Sequence, residues 1–222
     1  MNIFDILGPV MVGPSSSHTA GAVRIGLMTR KLLGQKPVQA TIGMYGSFLA
    51  TGKGHGTDKA LVAGLLGMHP DDIRIPDSFR LAEEEGLSFS FCEANLRNAH
   101  PNSVLLEVKG EDGRELSVQA SSLGGGRIMV NRLDDIDVNC TCEMPTLIVH
   151  NMDQPGHVAE VTSMLSHKCV NIANMSLYRD KRGGRAVMVI ETDQDIPGES
   201  LKWLEHLEGV LKVTYINVGG DV

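Results

Sequence analysis

Asn151-Met152-Asp153-Gln154-Pro155-Gly156 is the stretch that decides how the last part of the chain folds. Aspartate, proline and glycine together mark a tight turn, because proline fixes φ and glycine supplies a permissive backbone. A strand-like run, Thr146–His150, leads into it. After it, His157–His167 places Val158, Val161, Met164 and Leu165 on one face at helical spacing. Moving outward, Ile172–Leu177 and Val187–Glu191 read as strands around a turn at Arg179–Gly184. Gly198–His206 reads as a helix and Val210–Val218 as the last strand. The order β-α-β-β-α-β is that of a ferredoxin-like domain.

Upstream, Asp134–Pro145 is acidic, holds the close pair Cys140 and Cys142, and ends on a proline. It reads as an interdomain linker. The expected organisation is a domain over residues 1–134, a linker over 135–145 and a second domain over 146–222, with an α+β fold class overall. The first domain mixes elements. Residues 1–12 suggest a short edge segment, and Ser17–Leu33 a helix with Arg30 and Lys31 in its last turn and Gly34 as its stop. Val38, Ala40, Ile42 and Met44 alternate as a half-buried strand. A glycine-studded loop then runs to Asp58, followed by a helix over Lys59–Leu66 capped by Thr57 or Asp58 and closed by Gly67. A short acidic helix is expected over Phe79–Glu85, then alternation at Leu87, Phe89 and Phe91. Val104–Val108 and Leu116–Ala120 flank Glu111-Asp112-Gly113, a hairpin signal. Gly124-Gly125-Gly126 interrupts before Ile128–Leu133.

Two polar motifs stand out in this domain. In Gly13-Pro14-Ser15-Ser16-Ser17-His18-Thr19, three hydroxyls sit where a helix begins, offering side-chain and backbone donors to an anion. The same serines also suit an ordinary helix start, with Ser16 or Ser17 as N-cap. The second motif, Gly46-Ser47-Phe48-Leu49-Ala50-Thr51-Gly52-Lys53-Gly54-His55-Gly56-Thr57-Asp58, follows a strand and precedes a helix. A phosphate-binding P-loop needs four residues between its glycines and Ser or Thr after the lysine. Here five residues separate Gly46 from Gly52 and Gly54 follows Lys53, so nucleotide hydrolysis is not expected. Imidazoles suit proton transfer near neutral pH, and the glycines around His55 leave room for a substrate.

The chain of 222 residues is 42% hydrophobic and 21% charged, with a net charge of −7, so an ordinary globular composition is read. Without a basic block, no nucleic-acid or membrane partner is expected. No apolar run reaches transmembrane length, and a cytoplasmic location is expected. Four cysteines (Cys92, Cys140, Cys142 and Cys169) are too few for a disulfide scaffold. Cys140-Thr141-Cys142 could hold a soft metal, but no second close pair supports it, so free, partly buried thiols and no metal site are expected.

The C-terminal residues resemble an ACT domain, a regulatory module that binds amino acids at paired interfaces. The carriers are Asn151–Gly156 and Asn171-Ile172-Ala173-Asn174. The resemblance implies self-association through this module and an allosteric ligand site at Asp153, Gly156, His157, Asn171 and Asn174. Through the two polar motifs, the whole chain resembles the β subunit of the iron–sulfur-dependent L-serine dehydratases. Relatives often carry Gly-Pro after the first motif where this chain has Gly21-Ala22, which implies a slight change of helix geometry. The region around Ser121–Gly126 would belong to a domain similar to the allosteric substrate-binding domain of some phosphoglycerate dehydrogenases.

The family's cluster cysteines lie on an α subunit or a further domain, so this chain would be half an enzyme. Its partner would hold a [4Fe-4S] cluster that acts as Lewis acid on the hydroxyl of the substrate L-serine. The resemblance implies His55 as the base and His18 in a second proton-transfer role. It further implies substrate binding by Ser15, Ser16, Ser17, Thr19, Ser47 and Lys53. Serine at the ACT interface would favour the active state. The competing reading is a stand-alone amino-acid-sensing ACT protein, which would have no need of the two polar motifs. A pyridoxal-phosphate dehydratase is disfavoured by the short chain.

Overall fold

A computed structural model describes residues 10–217. They divide into two compact units, one ending at Asp134 and one starting at Asp135. No helix among the described residues is long and apolar enough to cross a membrane.

In the first unit a single π-helical turn, Ser16–Ala20, runs into α1 (Gly21–Leu33). Then come β1 (Pro37–Met44), α2 (Gly46–His55), α3 (Thr57–Leu65) and α4 (Ser78–Glu84), the last entered through a 3-10 turn at Ile75–Asp77. The strands β2 (Ser88–Glu93), β3 (Ser103–Gly110), β4 (Glu115–Gly124) and β5 (Arg127–Leu133) complete it. They lie in the order β2-β1-β3-β4-β5. β1 and β2 run parallel, with Ala40 opposite Phe89, and the other pairs are antiparallel. β1 buries the alternate residues Ala40 and Ile42, and β3 buries Leu106; Ile25 and Leu33 of α1 and Leu61 and Leu65 of α3 are buried as well, with almost no exposure. Each of the isoleucine and leucine side chains contributes about 1.5–3 kcal/mol by leaving water.

Several local expectations give way here. The stretch expected as a glycine-rich loop is helical: α2 covers Gly46–His55. Gly56, at φ +69, caps α2 and starts α3, so neither Thr57 nor Asp58 is the N-cap. That left-handed turn lets two helices follow each other with no loop between them, a conformation that a residue with a Cβ rarely adopts. The first helix is capped by Ser15, not by Ser16 or Ser17. The expected edge segment over residues 1–12 falls mostly outside the described residues. At its end, Val12 N–H donates to the Pro70 carbonyl at 2.8 Å and no strand forms.

The second unit opens with β6 (Ile136–Cys140), so the stretch expected as linker carries a strand. β7 (Thr146–Met152), α5 (His157–His167), β8 (Ile172–Arg179), β9 (Arg185–Thr192), α6 (Gly198–Glu205) and β10 (Val210–Ile216) follow. Val218 lies outside the described residues. The sheet order β10-β7-β9-β8, antiparallel throughout, with two helices, is the expected ferredoxin-like α+β arrangement. Leu147 and Val149 on β7, and Met188 and Ile190 on β9, alternate onto the face that meets Val161, Leu165 and Leu204.

Candidate functional site: two imidazoles on one helix face and one helical turn

The first motif is shaped by its cap. Ser15 is extended (φ −141, ψ 124), and its Oγ accepts the His18 backbone N–H at 3.1 Å. The Ser15 carbonyl takes N–H groups from Thr19 and Ala20, and Gly21 N–H reaches back to the Ser16 carbonyl. That widened turn sets out Ser17 and His18 ahead of α1. Gly13, at φ +127, folds the entering chain over Thr19: a Cβ there would meet Thr19 Cγ2 at 2.5 Å.

The second motif becomes a site because it is helical. Ser47, Thr51 and His55 recur at i, i+4 and i+8, so one face of α2 presents all three. His18 is held against this face. Its Nδ1 lies 3.1 Å from Ser17 Oγ, and its Nε2 lies 3.0 Å from Ser47 Oγ and 3.2 Å from Thr51 Oγ1. The fully buried Phe48 ring meets it edge-on at 5.4 Å. The His55 ring lies 5.0 Å from that of His18, tilted by 39°. Thr19, itself buried, ties the two motifs together by donating to the His55 carbonyl at 3.1 Å.

The electrostatics favour neutral imidazole at His18. Burial, then the charge that His55 can carry, push its pKa below the ordinary imidazole value. At His55 the hydrogen bonding fixes the tautomer. Nδ1 lies 3.1 Å from the Thr51 carbonyl oxygen. A carbonyl only accepts, so Nδ1 carries the hydrogen and the Nε2 lone pair is left for chemistry. A half-buried imidazole with an available Nε2, beside hydroxyls and a second neutral imidazole, can take a proton from a small polar molecule and hold that molecule's polar groups.

The structure therefore groups Ser15, Ser17, His18, Thr19, Ser47 and His55. Ser16 takes part through its carbonyl, and the Lys53 side chain is exposed, with no hydrogen bond to another described residue. Sequence reasoning missed Phe48, the support of His18, and Thr51, which contacts one imidazole and holds the other. The i, i+4, i+8 spacing was the available signal.

In the second unit the five residues expected to form a ligand site are bound to internal partners or stand alone. Asp153 accepts from Gly183 N–H at 2.9 Å and from Arg179 at 3.1 Å, which hold its carboxyl below the usual range. Gly156 (φ +104) caps α5. Asn171 Nδ2 donates to Asp193, and Asn174 Nδ2 to Glu191. His157 is buried with no hydrogen-bond partner on either ring nitrogen, and the Glu160 carboxylate lies 3.8 Å from its Nδ1.

These residues do not fit an iron–sulfur cluster. Among the described residues no three His, Cys, Asp or Glu side chains converge as a metal site. The buried Cys140 and Cys142 approach to 2.8 Å, but Cys92 and Cys169 are exposed and lie apart in the sequence. Two thiols cannot seat a cluster that takes cysteine ligands in threes and fours.

Residues 2–132 match the family described as serine dehydratase beta chain. The chain belongs to the serine dehydratase beta chain family. Residues 145–207 match the ACT domain. Over 215 residues this family member is 39% identical to "Probable L-serine dehydratase, beta chain" of Bacillus subtilis (strain 168), covering 97% of each chain. It is also 39% identical over 200 residues to "L-serine dehydratase, beta chain" of Peptoniphilus asaccharolyticus, covering 90% of each. A wider similarity, 25% over 200 residues, reaches D-3-phosphoglycerate dehydrogenase of Bacillus subtilis, covering 89% of this chain and 37% of that protein. The description as a beta chain implies a partner subunit.

Proposed function

We propose that the chain is the beta subunit of an L-serine dehydratase, which converts L-serine to pyruvate and ammonia with an alpha subunit that carries a [4Fe-4S] cluster. The observation that carries this reading is the His55 Nδ1–H bond to the Thr51 carbonyl, which leaves Nε2 as a base, with the His18 ring 5.0 Å away. Dehydration removes the poorly acidic Cα proton and the hydroxyl of serine. The resulting aminoacrylate takes up water and yields pyruvate and ammonia. In this reading His55 Nε2 takes the Cα proton, and His18 has a second polar role. Ser16, Ser17 and Ser47, with the Lys53 ammonium, hold the substrate carboxylate through hydroxyl, N–H and ammonium donors, while Ser15 at the cap and Thr19, whose hydroxyl is spent on the His55 carbonyl, shape the turn that presents them.

In this reading the partner subunit, and not this chain, holds the cluster. Residues 1–134 would contribute to the shared active site and 135–145 would join them to the ACT module at 146–222. That module would self-associate and bind serine near Asp153, Gly156, His157, Asn171 and Asn174. The complex would act in the cytoplasm. The test is pyruvate release from L-serine under anaerobic conditions by this chain alone, by the alpha subunit alone and by their mixture. Pyruvate from the mixture alone is the expected result. No pyruvate in any combination, with saturable amino-acid binding by this chain, would replace the reading with a sensor.

A further inference from the structure

We infer that Thr51 is a positioning residue that sets the two imidazoles in opposite tautomers and so divides the proton work between them. The inference rests on the reading of this site as the one that dehydrates serine. Thr51 touches both rings with different atoms. Its carbonyl oxygen accepts from His55 Nδ1–H at 3.1 Å, which leaves His55 Nε2 as a lone pair. Its hydroxyl lies 2.9 Å from the Ser47 carbonyl and 3.2 Å from His18 Nε2. A hydroxyl has one hydrogen, and a carbonyl can only accept it. The Thr51 hydrogen is therefore committed to Ser47, one helical turn back, a habitual bond for threonine in helices. What Thr51 offers His18 Nε2 is lone pairs, and Ser47 Oγ at 3.0 Å can accept there too, so with Thr51 in place neutral His18 carries its hydrogen on Nε2 and donates to both.

The other side of His18 follows. Nδ1 is then an acceptor, and Ser17 Oγ at 3.1 Å donates to it. Ser17 can accept in turn from the Ser15 hydroxyl at 3.3 Å, while a Ser15 lone pair takes the His18 N–H. The result is a directed chain, from Ser15 to Ser17 to His18 Nδ1, and from His18 Nε2–H to Thr51 and Ser47. His18 faces α2 as a donor, and His55 faces outward from the Thr51 carbonyl as a base. Thr51 need not touch the substrate; it acts through both rings.

The test uses the full chain with 15N-labelled histidine, observed by NMR above the imidazole titration range, where the ring-nitrogen shifts distinguish the tautomers. Thr51→Val keeps the shape and the backbone carbonyl but removes the lone pairs. Thr51→Ser keeps the hydroxyl. The expected spectra show His18 as Nε2–H and His55 as Nδ1–H in the wild type. In Thr51→Val, His18 shifts toward Nδ1–H, because Ser47 Oγ can now donate to Nε2, while His55 is unchanged. In Thr51→Ser the wild-type pattern returns. In the mixture with the alpha subunit, Thr51→Val should lower kcat about tenfold, roughly one hydrogen bond's worth, with KM nearly unchanged, and Thr51→Ser should restore it. A wild-type His18 already Nδ1–H, or one that keeps its tautomer in Thr51→Val, overturns the inference whatever the activity. Absence of pyruvate in every wild-type mixture overturns the functional reading instead, and the spectra still decide the role of Thr51.

Discussion

Gly64→Ala should destabilise the first unit and separate the two imidazoles at the same time. Helices α1 and α3 cross at Gly26 and Gly64, backbone on backbone. A Cβ on Gly64 would lie 2.1 Å from the Val23 carbonyl oxygen and 2.6 Å from Leu27 N, where ordinary contact begins at 3.4 Å. The helices would have to part by about 1.3 Å, the difference of those distances, since no side chain can rotate out of the way. Overpacking of this kind costs about 1–3 kcal/mol, and a backbone clash places it at the top of that range. Replacing glycine in a helix recovers up to about 1 kcal/mol, which leaves a net loss of about 2 kcal/mol. For a unit of this size, that is a Tm fall of roughly 6–10 °C. Because α1 follows His18 and α3 follows His55, turnover should fall as well. Thermal and urea unfolding of the full chain, followed by circular dichroism, provide the assay. Gly54→Ala is the control: a Cβ there meets nothing within 4 Å inside α2, so a gain of about 0.5–1 kcal/mol is expected. A Gly64→Ala protein as stable as the wild type, or shifted in the same direction as Gly54→Ala, would refute this reasoning.

Two further outcomes follow from the site. Phe48→Ala removes a fully buried ring that supports His18, so unfolding free energy should drop by about 3–5 kcal/mol, and a drop under about 1 kcal/mol would contradict the packing. The pKa of His18 lies below the ordinary value of 6.5, so between the two the unfolded chain binds more protons than the folded one. Stability should therefore rise with pH through that window, be fully present above about 6.5 and be lost as pH falls. Tm compared between pH 5 and pH 7.5 should change less in His18→Asn than in the wild type; equal changes would refute it.

How legible the molecule was in its sequence varied by element. The second unit was readable because its signals are local: alternating strands, one-faced helices and the Asp153–Gly156 turn agree with one another. Helix α2 was not readable, because Gly46, Gly52, Gly54 and Gly56 argue against a helix one residue at a time. Tertiary contacts override that preference. Phe48 is fully buried, Gly52 packs against Thr57 and Met44, and Gly56 ends the helix in a left-handed turn. The two motifs were visible as chemistry before they were visible as geometry. What escaped was the helical phase that aligns Ser47, Thr51 and His55, and with it the part played by Thr51. The strand β6 escaped for a different reason: its acidic alternation between Ile136 and Cys140 is short and ends near a proline.

The most direct test of the account is the turnover of L-serine by the complex of alpha subunit and His55→Gln chain, with complex formation checked in the same preparation. If His55 Nε2 takes the Cα proton, kcat should fall by about 10²–10⁴-fold while the subunits still associate and KM stays within a few-fold. A complex whose kcat stays within about threefold of the wild type would remove His55 from the chemistry, and with it the central claim.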